Sequence, residues 1–524
     1  MLEYLLQLQQ LVRQLKLEAN HLSAVASWHS PWSAGEPALE IIQRGLQRLR
    51  NDLSHAGIDW ANLASFLEES GVGKDSDERF GKLYRDFVGK AQGLKQWQQQ
   101  LVEVTHALNQ RSAQQDAPDW HLPVERIERL ADIRKHYRAI DAVVVRFMRD
   151  VLGDAWLADL ERQQWPWMPV VVAGDRYGAE LYSSGPSFVR LPKAELVRTR
   201  LWPLLAHEVT HLCIGWFRSH RDAKGTRCPE ISIIPEDRAK RALAARKELE
   251  TAITNEVVAR IKLDQVDAET QEKVKNLASV SAKAYAEEFM CDAVGLLVAG
   301  PAFVWSFATY LGPDIAPAPP WQGAGFDGNH VVMGARAALQ AAHPPHGVRL
   351  AVLWSLARRL GWGSHLGRLD VDMTGARDLL VESDESGKPK HARNEAWLRV
   401  LDVWLSAVDT IADLSLDAAQ EVLGPGRRVY DAPRHKQANA IVDGAEPGLT
   451  DAAVVLNAGW IKRVKFPKTA REMLDGGPAV SMADRLFPGH QHAVGELFGG
   501  LVLMLDDCLT RDWKAIREQA KKGD

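Results

Sequence analysis

Cysteine is scarce in this sequence. Its 524 residues hold four, Cys213, Cys228, Cys291 and Cys508, and no two stand as CxxC. That argues against a cysteine zinc site or a redox dithiol. Low usage without a pairing pattern fits a reducing compartment. Charge of one sign is lacking too. The formal net charge is −4, which leaves neither the basic footprint of a general nucleic-acid binder nor a polyanionic tail. No convincing helix-turn-helix is visible and no internal repeat stands out, so no nucleic-acid partner is expected.

Long apolar runs are missing, with one exception. From Ala293 to Gly312 no charged residue occurs, which is about the length that spans a bilayer. Gly300-Pro301 interrupts it, and proline inside a helix breaks it, so two buried helices are expected and no membrane span. The first residues, MLEYLLQLQQLVRQLKLEAN, are charged early and lack a small-residue cleavage site, so no signal peptide is read. The expectation is a soluble, cytoplasmic protein.

What is present is the balance of a globular chain, 46% hydrophobic and 25% charged. The length exceeds one ordinary core and suits two to four domains. Met1, Leu5, Leu8, Val12, Leu15, Ala19 and Leu22 form a heptad seam. It predicts a helix packing within its own domain, and it also admits a homodimer through this helix. A second amphipathic helix runs through Val124, Ile127, Leu130, Tyr137, Ile140, Val144, Phe147 and Val151. Near Trp165-Pro166 the texture changes. Met168 to Val172 and Ser187 to Pro192 read as strands, Leu201 to Phe217 and Thr270 to Ala299 as helices, and His346 to Leu360 as another. Arg218–Asp237, Gly312–Asn329 and Glu382–Arg393 read as loops. The C-terminal part reads as helical with an irregular centre at Gly424–Gly448. Lys462, Arg463, Lys465 and Lys468 form a basic cluster, by default a solvated face.

The chemistry concentrates at Ala206-His207-Glu208-Val209-Thr210-His211-Leu212, an HExxH inside the apolar segment LWPLLAHEVTHLCIGWF. On a helix, residues four apart share a face, so both imidazoles can reach one metal ion. Glu208 is placed to take a proton from an attacking water and pass it to the leaving amine. One zinc ion per chain suits this donor set, with a position left open. The third ligand is sought in Tyr285-Ala286-Glu287-Glu288-Phe289-Met290-Cys291-Asp292. Glu288 is the first choice and Glu287 the alternative. Asp292, four beyond Glu288, would accept the free N–H of a ligand histidine, His207 first. Cys291 reads as a buried small hydrophobe facing elsewhere. In His343-Pro344-Pro345-His346-Gly347-Val348-Arg349-Leu350, His343 can donate to a developing oxyanion or cap the next helix. Arg349 can position it or pair with a carboxylate, and His346 reads as exposed.

AHEVTHL, EFMCD and HPPHGVRL, in that order, resemble the gluzincin peptidases of the CAAX-prenyl-protease and heat-shock membrane-protease family. The resemblance covers roughly 165–365. It implies zinc at His207, His211 and Glu288, catalysis by Glu208 and an outer role for Asp292. The chain departs from the family in lacking transmembrane helices, in carrying Cys291 before the aspartate, and in long insertions at Arg218–Glu250 and Gly312–Asn329. In such peptidases an edge strand before the HExxH helix pairs with an extended substrate. Phe188, Val189, Arg190 and Leu191 are the candidates, with an internal strand as the alternative.

The expected fold is mainly α (α+β), in three parts: an N-terminal helical domain (1–164), a zincin-like peptidase core with a small edge sheet (165–365) and a C-terminal helical region (366–524). The expected function is a soluble zinc endopeptidase acting on a protein or peptide substrate and regulated by its flanking domains. The alternatives are a non-catalytic interaction protein on the same fold, or a narrow-specificity regulatory peptidase of a stress or phage-defence response.

Overall fold

In the computed structural model, residues 2–29, 37–69, 97–108, 110–111, 124–174, 177–181, 186–192, 199–222, 236–260, 267–311, 343–344, 346–366, 404–424, 428–443, 451–465 and 491–522 are described. They are mainly helical, with one three-stranded sheet. The chain falls into two compact units. One comprises Met1–Val145, Asp154–Val197 and Asp506–Asp524, the other Arg146–Gly153 and Arg198–Leu505. These are not the three consecutive segments that sequence texture suggests, because contacts distant in sequence tie the strands to the N-terminal helices.

The first unit is built on α1 (Leu2–His29), α2 (Pro37–Glu69), most of α3 (Val124–Leu152) and α4 (Asp154–Arg162). Val12, Leu15, Ala19 and Leu22 of the heptad seam are buried, and α1 packs along α2. The sheet holds β1 (Val170–Gly174), β2 (Gly178–Glu180) and β3 (Phe188–Pro192) in the order β1-β3-β2. β1 runs parallel to β3 with Val171 opposite Val189, and β2 runs antiparallel to it with Ala179 opposite Val189. β3 is therefore central. The backbone of Phe188, Val189 and Arg190 is paired on both sides, which corrects the reading of Phe188–Leu191 as an open edge for substrate. Arg190 pairs with Glu103 and, at 2.7 Å, with Glu180. The outer edge of β1 is closed by a side chain: Gln110 Oε1 accepts from Ala173 N at 2.8 Å and Gln110 Nε2 donates to Ala173 O at 3.1 Å. An amide used this way stands in for a neighbouring strand.

The second unit carries α5 (Leu205–Asp222), α6 (Glu236–Arg260), α7 (Ala268–Ala299), α8 (Pro301–Leu311), α9 (His346–Arg359), α10 (Val408–Leu423), α11 (Ala432–Val442) and α12 (Ala452–Lys465). The last helix, α13 (Gln491–Lys522), begins in this unit and ends in the first. A 3₁₀ turn at Thr199–Leu204 leads into α5. α5 runs to Asp222, past Phe217 and into the segment expected to be loop. α11 lies inside the stretch expected to be irregular. Its start is set by Asp431, whose carboxylate caps Arg434 N at 3.1 Å, with proline in the first turn. The loop expectations at Gly312–Asn329 and Glu382–Arg393 lie outside the described residues.

The uncharged stretch is two helices. Gly300 ends α7 in the left-handed region at φ 67, where an added Cβ would sit 2.2 Å from the Tyr430 ring. Asn457 satisfies the broken backbone, accepting from Ala302 N at 3.0 Å and donating to Ala299 O at 2.7 Å. Among the described residues no helix is long and apolar enough to cross a membrane.

α5 packs on both α6 and α7, and α9 packs on α7. α6 is anchored at its start by Arg238. This guanidinium donates to the carbonyls of Val151 and Leu152 at the end of α3, and to those of Val422 and Leu423 at the end of α10. It thereby satisfies helix ends that have no partner within their own helices.

Candidate metal centre

From Leu201 to Phe217 nearly every side chain is buried, and the partly open positions are Glu208, His211 and Gly215. Offsets of three and four place these three on one stripe of the helix. Among the described residues of this helix, Glu208, His211 and Gly215 thus form the opening. Facing it, α7 passes from exposed at Lys283 and Ala284 to buried from Glu288 onward.

His207 Nε2 and His211 Nε2 lie 3.0 Å apart. Glu288 Oε2 is 3.4 Å from His207 Nε2, and Glu288 Oε1 is 3.3 Å from His211 Nε2. A tetrahedral zinc with bonds of about 2.0–2.1 Å has ligand atoms about 3.3–3.4 Å apart; the two separations to Glu288 match this, and the His207–His211 separation of 3.0 Å is shorter. His207, His211 and Glu288 form a group able to hold a metal.

The hydrogen bonds explain why these atoms converge. His207 Nδ1 lies 2.8 Å from Asp292 Oδ1, and His211 Nδ1 lies 3.2 Å from Glu287 Oε1. A carboxylate can only accept, so each imidazole donates from Nδ1, and in its neutral form Nε2 carries a lone pair. Two nitrogen lone pairs and a carboxylate then point at one place. Glu288 Oε2 is buried without a hydrogen-bond partner. Acceptors gathered this way need a cation, either a metal or a shared proton.

Arg349, buried on α9, holds the far side. Its Nε and Nη2 reach Asp292 at 2.8 and 2.7 Å, and Nη1 lies 3.1 Å from Glu288 Oε2. Burial opposes ionisation of Asp292, but Arg349 and His207 outweigh it and lower its pKa. Glu288 is likewise held ionised by Arg349 and the histidines against the opposing effect of burial. Burial works against a charge on His207, yet Asp292 and then Glu288 raise its pKa. For His211 burial again opposes the charge, and Cys291, Glu287 and Glu288 raise its pKa well above the imidazole range. Burial pushes the Cys291 thiol up to about 12, so the two carboxylates sustain that effect near neutrality. A metal ion entering here displaces protons.

Cys291 is fully buried, as expected of a small hydrophobe. It follows Glu287 by four residues and Glu288 by three, and those offsets share a helix face. Glu287, the alternative ligand, faces Nδ1 of His211 and not the convergence point. His343 is exposed, with Nδ1 3.0 Å from Glu288 Oε1. The structure thus brings together His207, His211, Glu288, Asp292, Arg349 and His343. Phe188–Leu191 belong to the other compact unit.

Sequence reasoning misses Arg246 of α6, whose Nε lies 3.0 Å from Glu287 Oε2. No motif marks it, because its place depends on how α6 packs on α7. Compared with protein-family models, with curated proteins and with solved structures, the chain matches none.

Proposed function

We propose that the protein is a zinc-dependent endopeptidase centred on His207, His211 and Glu288. The observation that carries this reading is the set of ligand-atom separations of 3.0, 3.4 and 3.3 Å, with Glu208 on the partly open stripe beside them. Two imidazoles and one carboxylate suit zinc and leave a position free. When bound, the ion supplies Lewis acidity at that position. Glu208 is the general base that removes a proton from the attacking water and returns it to the departing amine. His343, exposed at the mouth of the site, donates to the oxygen that becomes negative as the peptide carbonyl is attacked. Asp292 and Glu287 hold the two imidazoles in the tautomer that presents Nε2 inward. Arg349 keeps Asp292 and Glu288 ionised and in place.

The test is cleavage of a mixed peptide library, read by mass spectrometry, with wild type and Glu208→Gln. Glu208→Gln is expected to keep its zinc and lose about 10²–10⁴-fold in rate. Cleavage by the variant at the wild-type rate would remove Glu208 from the chemistry.

A further inference from the structure

The two ligand histidines are each backed by a carboxylate, and each carboxylate is gripped by an arginine. One arginine, Arg349, stands in a motif. The other does not. Arg246 lies on α6, in the long insertion between the two ligand helices, and it reaches α7 with two donors. Nε bonds Glu287 Oε2 at 3.0 Å, and Nη2 bonds Lys283 O at 3.1 Å. Lys283 and Glu287 are one turn apart, so the guanidinium spans a full turn of α7. Glu287 divides its oxygens, giving Oε2 to Arg246 and Oε1 to His211 Nδ1, 3.2 Å away. The pair is mostly enclosed, with side-chain exposures of 14% and 16%, unlike the surface ion pairs that contribute little. A carboxylate on a helix surface has free rotamers; pinning one oxygen leaves the other aimed at the imidazole.

We infer that Arg246 is a positioning residue for the metal: it fixes Glu287 so that His211 donates from Nδ1 and offers Nε2 to the ion. This rests on the metal reading of His207, His211 and Glu288. It makes the docking of α6, an element outside every motif of the site, a determinant of metal retention. Outer partners of metal-binding histidines are worth about 10–100-fold in affinity.

The experiment measures zinc affinity of the full chain by competition with a chromophoric chelator, for wild type, Arg246→Met, Arg246→Lys, Glu287→Gln and the Arg246→Met/Glu287→Gln double variant. Arg246→Met is expected to weaken zinc about tenfold, and Arg246→Lys to recover part of the loss. The double variant is expected to bind within about twofold of Glu287→Gln alone, because both changes act through one carboxylate. Arg246→Met with wild-type affinity, or losses that multiply in the double variant, would overturn the inference and leave the metal reading standing. Should Arg246→Met not fold, Glu287→Gln decides: unchanged zinc affinity in that folded variant removes the link to His211. A wild-type chain that takes up no zinc overturns the metal reading and this inference together.

Discussion

Two buried charge clusters, one in each compact unit, differ in how their donors and acceptors count. In the first unit Glu161 accepts from Arg44 Nη1 at 2.7 Å, Arg44 Nη2 at 2.8 Å and Trp167 Nε1 at 3.0 Å, with Arg517 Nε at 3.2 Å. Both Glu161 oxygens meet donors there, so its acceptors are closed, while one donor, Arg44 Nε, is buried without a hydrogen bond. Arg44 outweighs the burial that opposes ionisation, and the pKa of Glu161 is lowered. In the second unit the same kinds of group leave a surplus. His207, His211 and Glu288 converge on one point, and Glu288 Oε2 meets Arg349 as an ion pair at 3.1 Å but has no hydrogen bond. A closed cluster holds a fold together; a cluster with surplus acceptors is built around something positive.

Removing one acceptor from each cluster sharpens that contrast. Glu161→Gln removes the buried carboxylate from Arg44, leaving it, among the described residues, only Glu40 at 2.5 Å, and is expected to destabilise the fold by about 3 kcal/mol, with zinc affinity unchanged. Asp292→Asn is expected to weaken zinc about 10–100-fold. Chemical denaturation and chelator competition on both variants check the pair. Zinc loss in Glu161→Gln matching that in Asp292→Asn would erase the distinction between the clusters.

The smallest expected effect lies away from the centre, at His435. It is buried, with Nδ1 3.4 Å from the Tyr430 hydroxyl and its ring 4.3 Å from that of His365. Burial and then the His365 charge lower its pKa to about 4. The unfolded chain takes up this proton near the ordinary imidazole value of 6.5 and the folded chain only near 4. Stability is therefore complete above the unfolded value and is lost as pH falls through that window. Water reaches the cluster from the exposed His365 side, so the loss is set at on the order of 1–2 kcal/mol. Urea midpoints of wild type and His435→Gln across pH 7.5 to 4.5 isolate it. A difference between the two chains that does not change with pH would remove His435 as the source.

The parts of the site legible in the sequence are those that one helix places by itself. His207 and His211 are four apart, as are Glu288 and Asp292, and a helix turns such spacings into shared faces. The same rule sets Cys291 beside Glu287 and Glu288, although its thiol suggests only a small buried residue. α11 lies unread inside Gly424–Gly448, although Asp431 followed by Pro433 marks its start. What stayed illegible depends on partners. An alternating pattern marks Phe188–Pro192 as a strand but says nothing of which strands flank it, so its central place emerges only from pairing to β1 and β2. Arg246 carries no mark at all, because α6 meets Glu287 through packing between helices.

The most direct test of the central claim is the zinc content of the full chain, by elemental analysis, for wild type and His207→Ala, each purified without chelators and resupplied with zinc. About one zinc per wild-type chain, and its loss in the variant, is expected. No zinc in the wild type, or equal zinc in both, would contradict it.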